Sequence, residues 1–190
     1  MPKSMEAADL YEIKIILLYL EPAIWRRVTV PKDITLGSLH AVIQVAMGWE
    51  DDHLHEFQIG KKRYGPVMSD PFGGDEEMGD EEIVHLNGVA QPRAKFIYQY
   101  DFGDDWTHEI HVEREVASAT AKRRARCVAG ENACPPEDCG GPPGYANMLE
   151  VLANPTHEDY DEMREWVADD FDPQRFDVPR TDRRLSKVKV

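Results

Sequence analysis

The sequence predicts an α+β fold: a single domain with a mostly antiparallel or mixed, roll-like sheet, a main helix after the first two strands, and further helices at the C-terminal end. Three observations lead there. Period-two apolar alternation recurs through the first part of the chain, at residues 11–17, 53–59 and 106–112. One stretch at helical spacing, residues 36–47, interrupts it early, and helical spacing returns only after residue 145. Strands mostly first and helices mostly last is the α+β order, not the alternation of a parallel βαβ protein.

The elements follow in order. Tyr11, Ile13, Ile15 and Leu17 alternate with Glu12 and Lys14, then both faces turn apolar at Ile16, Leu18 and Leu20. That pattern reads as a strand whose second half lies inside the sheet. Glu21-Pro22 breaks it, and Ile24 to Val30 reads as a second strand closed by Pro31. Leu36, Leu39, Val42, Ile43, Ala46 and Met47 then form a helical stripe, with Thr35 as N-cap and Gly48 where a left-handed residue is wanted. A third strand is expected in Asp52 to Gly60, putting His53, His55, Phe57 and Ile59 on one face. The acid- and glycine-rich stretch that follows, to about Val84, reads as a loop. Phe96–Tyr100 and Trp106–Val116 read as the arms of a hairpin around Asp101-Phe102-Gly103-Asp104-Asp105, with Trp106, His108, Ile110 and Val112 facing inward. Tyr145, Met148, Leu149 and Leu152 mark a short helix stopped by Asn154-Pro155. Thr156 and Asp159 resemble a capping box for another, with a buried stripe at Tyr160, Met163, Trp166 and Val167.

Residues 1–9 read as a flexible N-terminus, 10–178 as the domain and 179–190 as a basic tail. A net charge of -14 argues against a surface that grips nucleic acid as a whole, because an acidic body is repelled by phosphate. Any such contact is expected to run through Lys122–Arg126 and the tail from Arg180. The opening residues lack an apolar signal core and the longest apolar run, Ile15–Leu20, is too short for a bilayer, so the reading is a cytoplasmic protein with no membrane partner.

Three groups of residues could carry chemistry. Cys127, Cys134 and Cys139 have the spacing Cys-x6-Cys-x4-Cys, three soft ligands that leave a zinc site one short, with His108, His111 or His157 to complete it. The alternative is a proline-stiffened loop whose thiols act as small hydrophobes. Asp101, Asp104 and His108 form a second metal-type cluster around the hairpin turn, against which stands the ordinary preference of turns for Asp and Gly. His53 and His55 make a His-x-His on one strand face, or simply stack inside the sheet. Asp101-Phe102-Gly103 is not a kinase motif here, since no glycine-rich phosphate loop or catalytic loop accompanies it. No nucleophile elbow, phosphate-cradling loop or dinucleotide fingerprint occurs.

The motifs Pro22-Ala23-Ile24-Trp25-Arg26-Arg27-Val28, Leu39-His40, Gly48-Trp49, His53-Leu54-His55-Glu56-Phe57, Tyr100-Asp101-Phe102-Gly103-Asp104-Asp105-Trp106, Cys134-Pro135-Pro136-Glu137-Asp138 and Phe171-Asp172-Pro173 occur in that order. Together they resemble the plasmid pRiA4b ORF-3-like family over about residues 10–178. The resemblance implies a roll-like α+β domain in cytoplasmic bacterial or archaeal proteins, with relatives on plasmids and as passengers of insertion sequences. It implies no activity. The expected function is a non-enzymatic binding or accessory module linked to mobile elements, using a groove lined by Trp25, Arg26, His53, His55, Trp106 and His108. The alternative is a metal-dependent hydrolase or nuclease with His53, His55, Asp101, Asp104 and His108 as ligands and base.

Overall fold

Alternation on β1 (Ala8–Leu17) buries Tyr11, Ile13, Ile15 and Leu17 on one face while leaving Lys14 half-exposed on the other. The computed structural model describes residues 8–67, 78–118 and 123–190. Segment 1–7, Lys122 and most of the acidic stretch lie outside the described residues. β2 (Ile24–Pro31) pairs antiparallel with β1, and the hairpin of β6 (Lys95–Tyr100) and β7 (Trp106–Ala117) joins β1 on its other side. The sheet is completed by β3 (His55–Ile59), β4 (Lys62–Gly65), β5 (Met78–Asp80) and β8 (Arg126–Glu131) in the order β5-β4-β3-β6-β7-β1-β2-β8. Among the described residues only β4 and β5 pair in parallel, so the eight-stranded sheet is mixed, as expected.

One face of the sheet is the core and carries Ile24, Val28, Phe57, Tyr98, Tyr100, Trp106 and Ile110. The opposite face bears ion pairs, Glu12 with Arg114 at 2.8 Å and Arg27 with Glu113 at 2.7 Å. A single buried face is the usual economy of an antiparallel sheet. Helix α1 (Leu36–Met47) lays its apolar stripe on the core, contacting β2 and β4. Its ends are those the residues specify: Thr35 accepts from Ser38 N, and Gly48 closes the helix at φ 115°. A short α2 (Leu86–Val89) follows β5. α3 (Gly141–Ala153) ends at Asn154, and α4 (Tyr160–Trp166) packs against it.

Several expectations need correcting. The stretch after Gly60 read as loop holds β4 and β5, two strands too short to show a period. β8 escaped the sequence reading because its alternation, Cys127 and Ala129 between charged ends, is weak and its partner strand is a hundred residues earlier. The capping box at Thr156 does not form. Asn154 Oδ1 takes both the Thr156 N–H and hydroxyl, so Asp159 becomes the N-cap of α4. No residue within α4 is fully buried, and Trp166 is 49% exposed. The basic tail from Arg180 is largely helix α5 (Val178–Leu185): Asp177 caps it by accepting from Arg180 N at 2.8 Å, and Thr181 and Leu185, four apart, are buried. Charge composition hid that i, i+4 pair.

Trp106 has no exposed surface, and Trp49 lies 5.9 Å from it. Trp106→Ala should therefore cost about 3–5 kcal/mol in denaturant unfolding, the range for truncating large buried aromatics. An unchanged midpoint would contradict the packing described here.

His108 is fully buried, donates from Nδ1 to Tyr98 O at 3.3 Å, and has no partner at Nε2. Burial is the main cause that lowers its pKa from 6.5 to about 3. Above about pH 6.5 it is neutral in both folded and unfolded chains, and contributes no proton linkage. As pH falls from about 6.5 to about 3 only the unfolded chain takes up the proton, and stability should drop by roughly 1.4 kcal/mol per pH unit. Unfolding free energies measured across that window should show a slope that His108→Gln flattens.

Candidate functional site

Two histidine–carboxylate clusters flank the loop between α1 and β3. In the first, His40 stands on the buried stripe of α1 and His55 opens β3; their rings stack face to face, centroids 3.4 Å apart and 4° from parallel. His40 Nε2 lies 2.8 Å from Asp51 Oδ1, and His55 Nε2 lies 2.8 Å from Glu81 Oε2. Ligand atoms of His40, Asp51 and His55 all fall within 4.8 Å of one another. Both imidazoles and Glu81 are buried, whereas Asp51 is exposed and holds a left-handed φ of 66° that aspartate tolerates. Burial, followed by the charge of His55, lowers the His40 pKa against the pull of Asp51, which keeps its imidazole in the neutral, ligand-competent form.

Behind His40 runs a hydrogen-bonded chain. His40 Nδ1 lies 2.8 Å from Tyr98 OH, and Gln44 Nε2 donates to the same oxygen at 2.9 Å. Gln44 Oε1 is buried without a partner. Tyr98 stays a phenol, its pKa raised well above the usual value mainly by burial.

The second cluster lies on the far side of the same loop. His53 Nε2 is 3.1 Å from Asp138 Oδ1, 3.7 Å from Asp101 Oδ2 and 3.9 Å from Glu137 Oε2. None of these is in line for a hydrogen bond, so His53 Nε2 and Glu137 Oε2 are both unpartnered. Glu137 Oε1 is held by Glu50 N at 3.0 Å and Tyr100 OH at 3.1 Å. Burial raises the Glu137 pKa, and the charge of Asp138 adds to it. The loop that brings these acids is fastened by Trp49 Nε1, which donates to Pro135 O at 3.0 Å, and by Gly140 N, which donates to Asp104 Oδ2 at 3.0 Å. Gly141, at φ 67°, lies where a Cβ would strike the Asp104 carbonyl, which is why the second glycine of the pair is needed.

The residues singled out from sequence are redistributed. Trp106 and His108 are wholly buried, and Trp25 lies on the face of β2 opposite Arg26, under Lys14 at 4.6 Å, so the six residues do not line one open groove. Arg26 is 1% exposed and its guanidinium donates to Ala46 O, Trp25 O and Glu131 O. Asp101 meets His53 and not His108, while Asp104 serves the backbone of Gly140. His53 and His55 do not share a site. His53 precedes β3, and each histidine belongs to a different cluster. Among the described residues no three-ligand group within 4.8 Å contains a cysteine, so Cys127, Cys134 and Cys139 are not brought together as a ligand set. Burial raises all three thiols, Cys127 to about 11 and Cys139 to about 12, and they are free. His111 sits beside Glu109 on the outer face and His157 beside Asp159.

Of the basic run, Arg123 pairs with Asp33 and Asp9, and Arg126 with Asp182 at 2.8 Å. No helix among the described residues is long and apolar enough to cross a membrane. Sequence reasoning passed over His40, Gln44, Asp51, Glu81, Glu137 and Asp138 as site residues. The available signal was His40 and Gln44, two polar residues four apart inside an apolar helical stripe. A cavity of about 690 Å³ lies elsewhere, between the β1–β2 turn and α3, with Tyr19, Ile24, Tyr145, Leu149, Leu152 and Phe171 in its wall.

Comparison with known proteins gives consistent relatives. An uncharacterized protein, y4hQ, of Sinorhizobium fredii is 40% identical over 167 residues, covering 87% of this chain and 84% of its own. The crystal structure of a protein of unknown function, MM3350, from Methanosarcina mazei Go1 superposes with a TM-score of 0.82 at 35% identity, covering 90% of this chain and 96% of that one. Residues 9–180 match the plasmid pRiA4b ORF-3-like protein family, and with a fold and a sequence that both agree over most of its length, the chain belongs to that family.

Proposed function

We propose that this protein binds a divalent transition metal through His40, Asp51 and His55, and that it works by metal-assisted hydrolysis. The observation that carries the reading is the convergence of two buried imidazoles and one exposed carboxylate within 4.8 Å. Two histidines and a carboxylate are a common catalytic metal set, and three protein ligands leave positions for water and substrate. Asp51 is the exposed member, so the open side faces solvent. A metal held there would lower the pKa of a bound water and supply the hydroxide.

The surrounding residues fit that role. Glu81 accepts the His55 Nε2 proton, which leaves Nδ1 with its lone pair, the outer-carboxylate arrangement typical of ligating histidines. At His40 a metal on Nε2 requires the proton on Nδ1, donated to Tyr98 OH. A half-turn of the Gln44 amide then lets the Tyr98 hydroxyl donate to Oε1, the atom that otherwise has no partner. The chain His40–Tyr98–Gln44 can thus carry either proton arrangement.

A second reading, a cytoplasmic binding or accessory module linked to mobile elements, rests on the family and on the 690 Å³ cavity instead of the histidines. Cobalt titration of metal-free protein, followed by visible absorption, tests the first. Wild type should bind Co2+. Tyr98→Phe should weaken binding roughly 10–100-fold, and Asp51→Asn or His55→Ala more, with metal-dependent phosphoester or peptide hydrolysis falling in parallel. Wild type that takes up no Co2+, or an Asp51→Asn chain that binds it unchanged, would sink the hydrolase reading.

A further inference from the structure

We propose that His53, Asp101 and Asp138, whose ligand atoms all lie within 4.8 Å of one another, form with Glu137 at their side a second, separate cation site, one for a hard divalent ion such as Mn2+. The proposal does not depend on the His40 centre. Three carboxylates approach one imidazole nitrogen at 3.1–3.9 Å, the spacing of neighbouring ligands around an ion bound at about 2.0–2.3 Å. Ordinary hydrogen bonding does not account for the arrangement. His53 Nε2 and Glu137 Oε2 are both shut off from solvent, lie close together, and have no hydrogen-bond partner. Buried polar atoms are nearly always satisfied, so a pair of orphans pointing into one space calls for a group between them.

Charge leads to the same conclusion. Among the described residues no lysine or arginine pairs with Asp101, Glu137 or Asp138, so His53 is the sole basic side chain facing three acids. A cation in their midst would remove that repulsion. The donor set also narrows the ion: three carboxylates favour Mg2+, Ca2+ or Mn2+, and the single imidazole selects Mn2+ among them.

The ligands are held in advance. Asp101 Oδ1 is occupied by Gly103 N at 2.9 Å, which leaves Oδ2 turned toward His53. Tyr100 and Glu50 fix the other oxygen of Glu137. The three converging ligands come from three separate segments: His53 from the α1–β3 loop, Asp101 from the β6–β7 turn and Asp138 from the loop before α3. A bound ion would therefore fasten three loops at one point, and its removal would loosen the attachment of the Cys134–Gly144 segment.

The test uses metal-free full-length protein titrated with Mn2+, read by electron paramagnetic resonance and thermal melting. In an Asp51→Asn background, which disables the His40 centre, one Mn2+ should still bind and should raise Tm by about 5–10 °C at 100 times Kd. Adding Asp138→Asn should weaken binding at least about tenfold, and Glu137→Gln together with Asp138→Asn should abolish it. Asp138 is 74% exposed at its side chain, so its substitution leaves the fold intact, which circular dichroism checks. Mn2+ binding that is equal in affinity and stoichiometry with and without those substitutions would overturn the site. A failed cobalt result at Asp51 with Mn2+ binding retained would reject the hydrolase reading and leave this one standing.

Discussion

Both clusters depend on two phenols of β6. Tyr98 and Tyr100 are two residues apart, so they share the inner face of the strand, and both are fully buried. Tyr98 OH meets His40 and Gln44 of α1, while Tyr100 OH meets the backbone of Asp52 and the carboxylate of Glu137. One pleat thus organises the histidine pair on one side and the acidic loop on the other. The register that places them is set by β3, with His55 opposite Tyr100 and Phe57 opposite Tyr98, and by β7, with Trp106 opposite Tyr100 and His108 opposite Tyr98. A slip of one residue would turn both phenols outward and dissolve both clusters.

The core tolerates more polarity than its hydrophobic pattern suggests, and at the end of α1 the backbone absorbs it. α1 ends without a basic residue in its last turn, and Arg26 from β2 provides one, donating from Nε to Ala46 O at 3.0 Å. A cation at a helix C-terminus meets the partial negative charge of the free carbonyls there. The same guanidinium reaches the carbonyls of Trp25 and Glu131 and lies 3.7 Å from the Phe176 ring centroid. A buried arginine is costly unless each N–H finds an acceptor, and here carbonyls and an aromatic face take the place of a carboxylate. It therefore ties β2, β8 and α1 together instead of reading a ligand from a groove.

The three cysteines show how a sequence cluster can mislead. They lie close together along the chain, which suggests a common metal, yet Cys127 lies on β8, Cys134 and Cys139 flank the loop before α3, and among the described residues none of the three belongs to a three-ligand group. What that loop contributes is its acids. Glu137 and Asp138, quoted in the sequence only as part of a family motif, become the counterparts of His53 once Trp49 and Gly140 have fastened the loop. Proximity in sequence sets an upper limit on separation in space, but side-chain direction decides whether ligand atoms meet.

The sequence alone determined what short-range physics controls. The β1–β2 pair, α1 with its Thr35 cap and Gly48 terminus, and the β6–β7 hairpin with Trp106 and His108 inward were all legible, because alternation, capping and turn chemistry act over fewer than a dozen residues. Even the anomaly of His40 and Gln44 in an apolar stripe was visible, though its meaning was not. Tertiary structure decided everything that depends on partners far along the chain: β8 on the edge of β2, α5 folded against it, and the meeting of His53 with residues near 101 and 137. No local preference encodes those distances. They follow from strand order and register, which bring the α1–β3 loop, the β6–β7 turn and the acidic loop to the same end of the sheet.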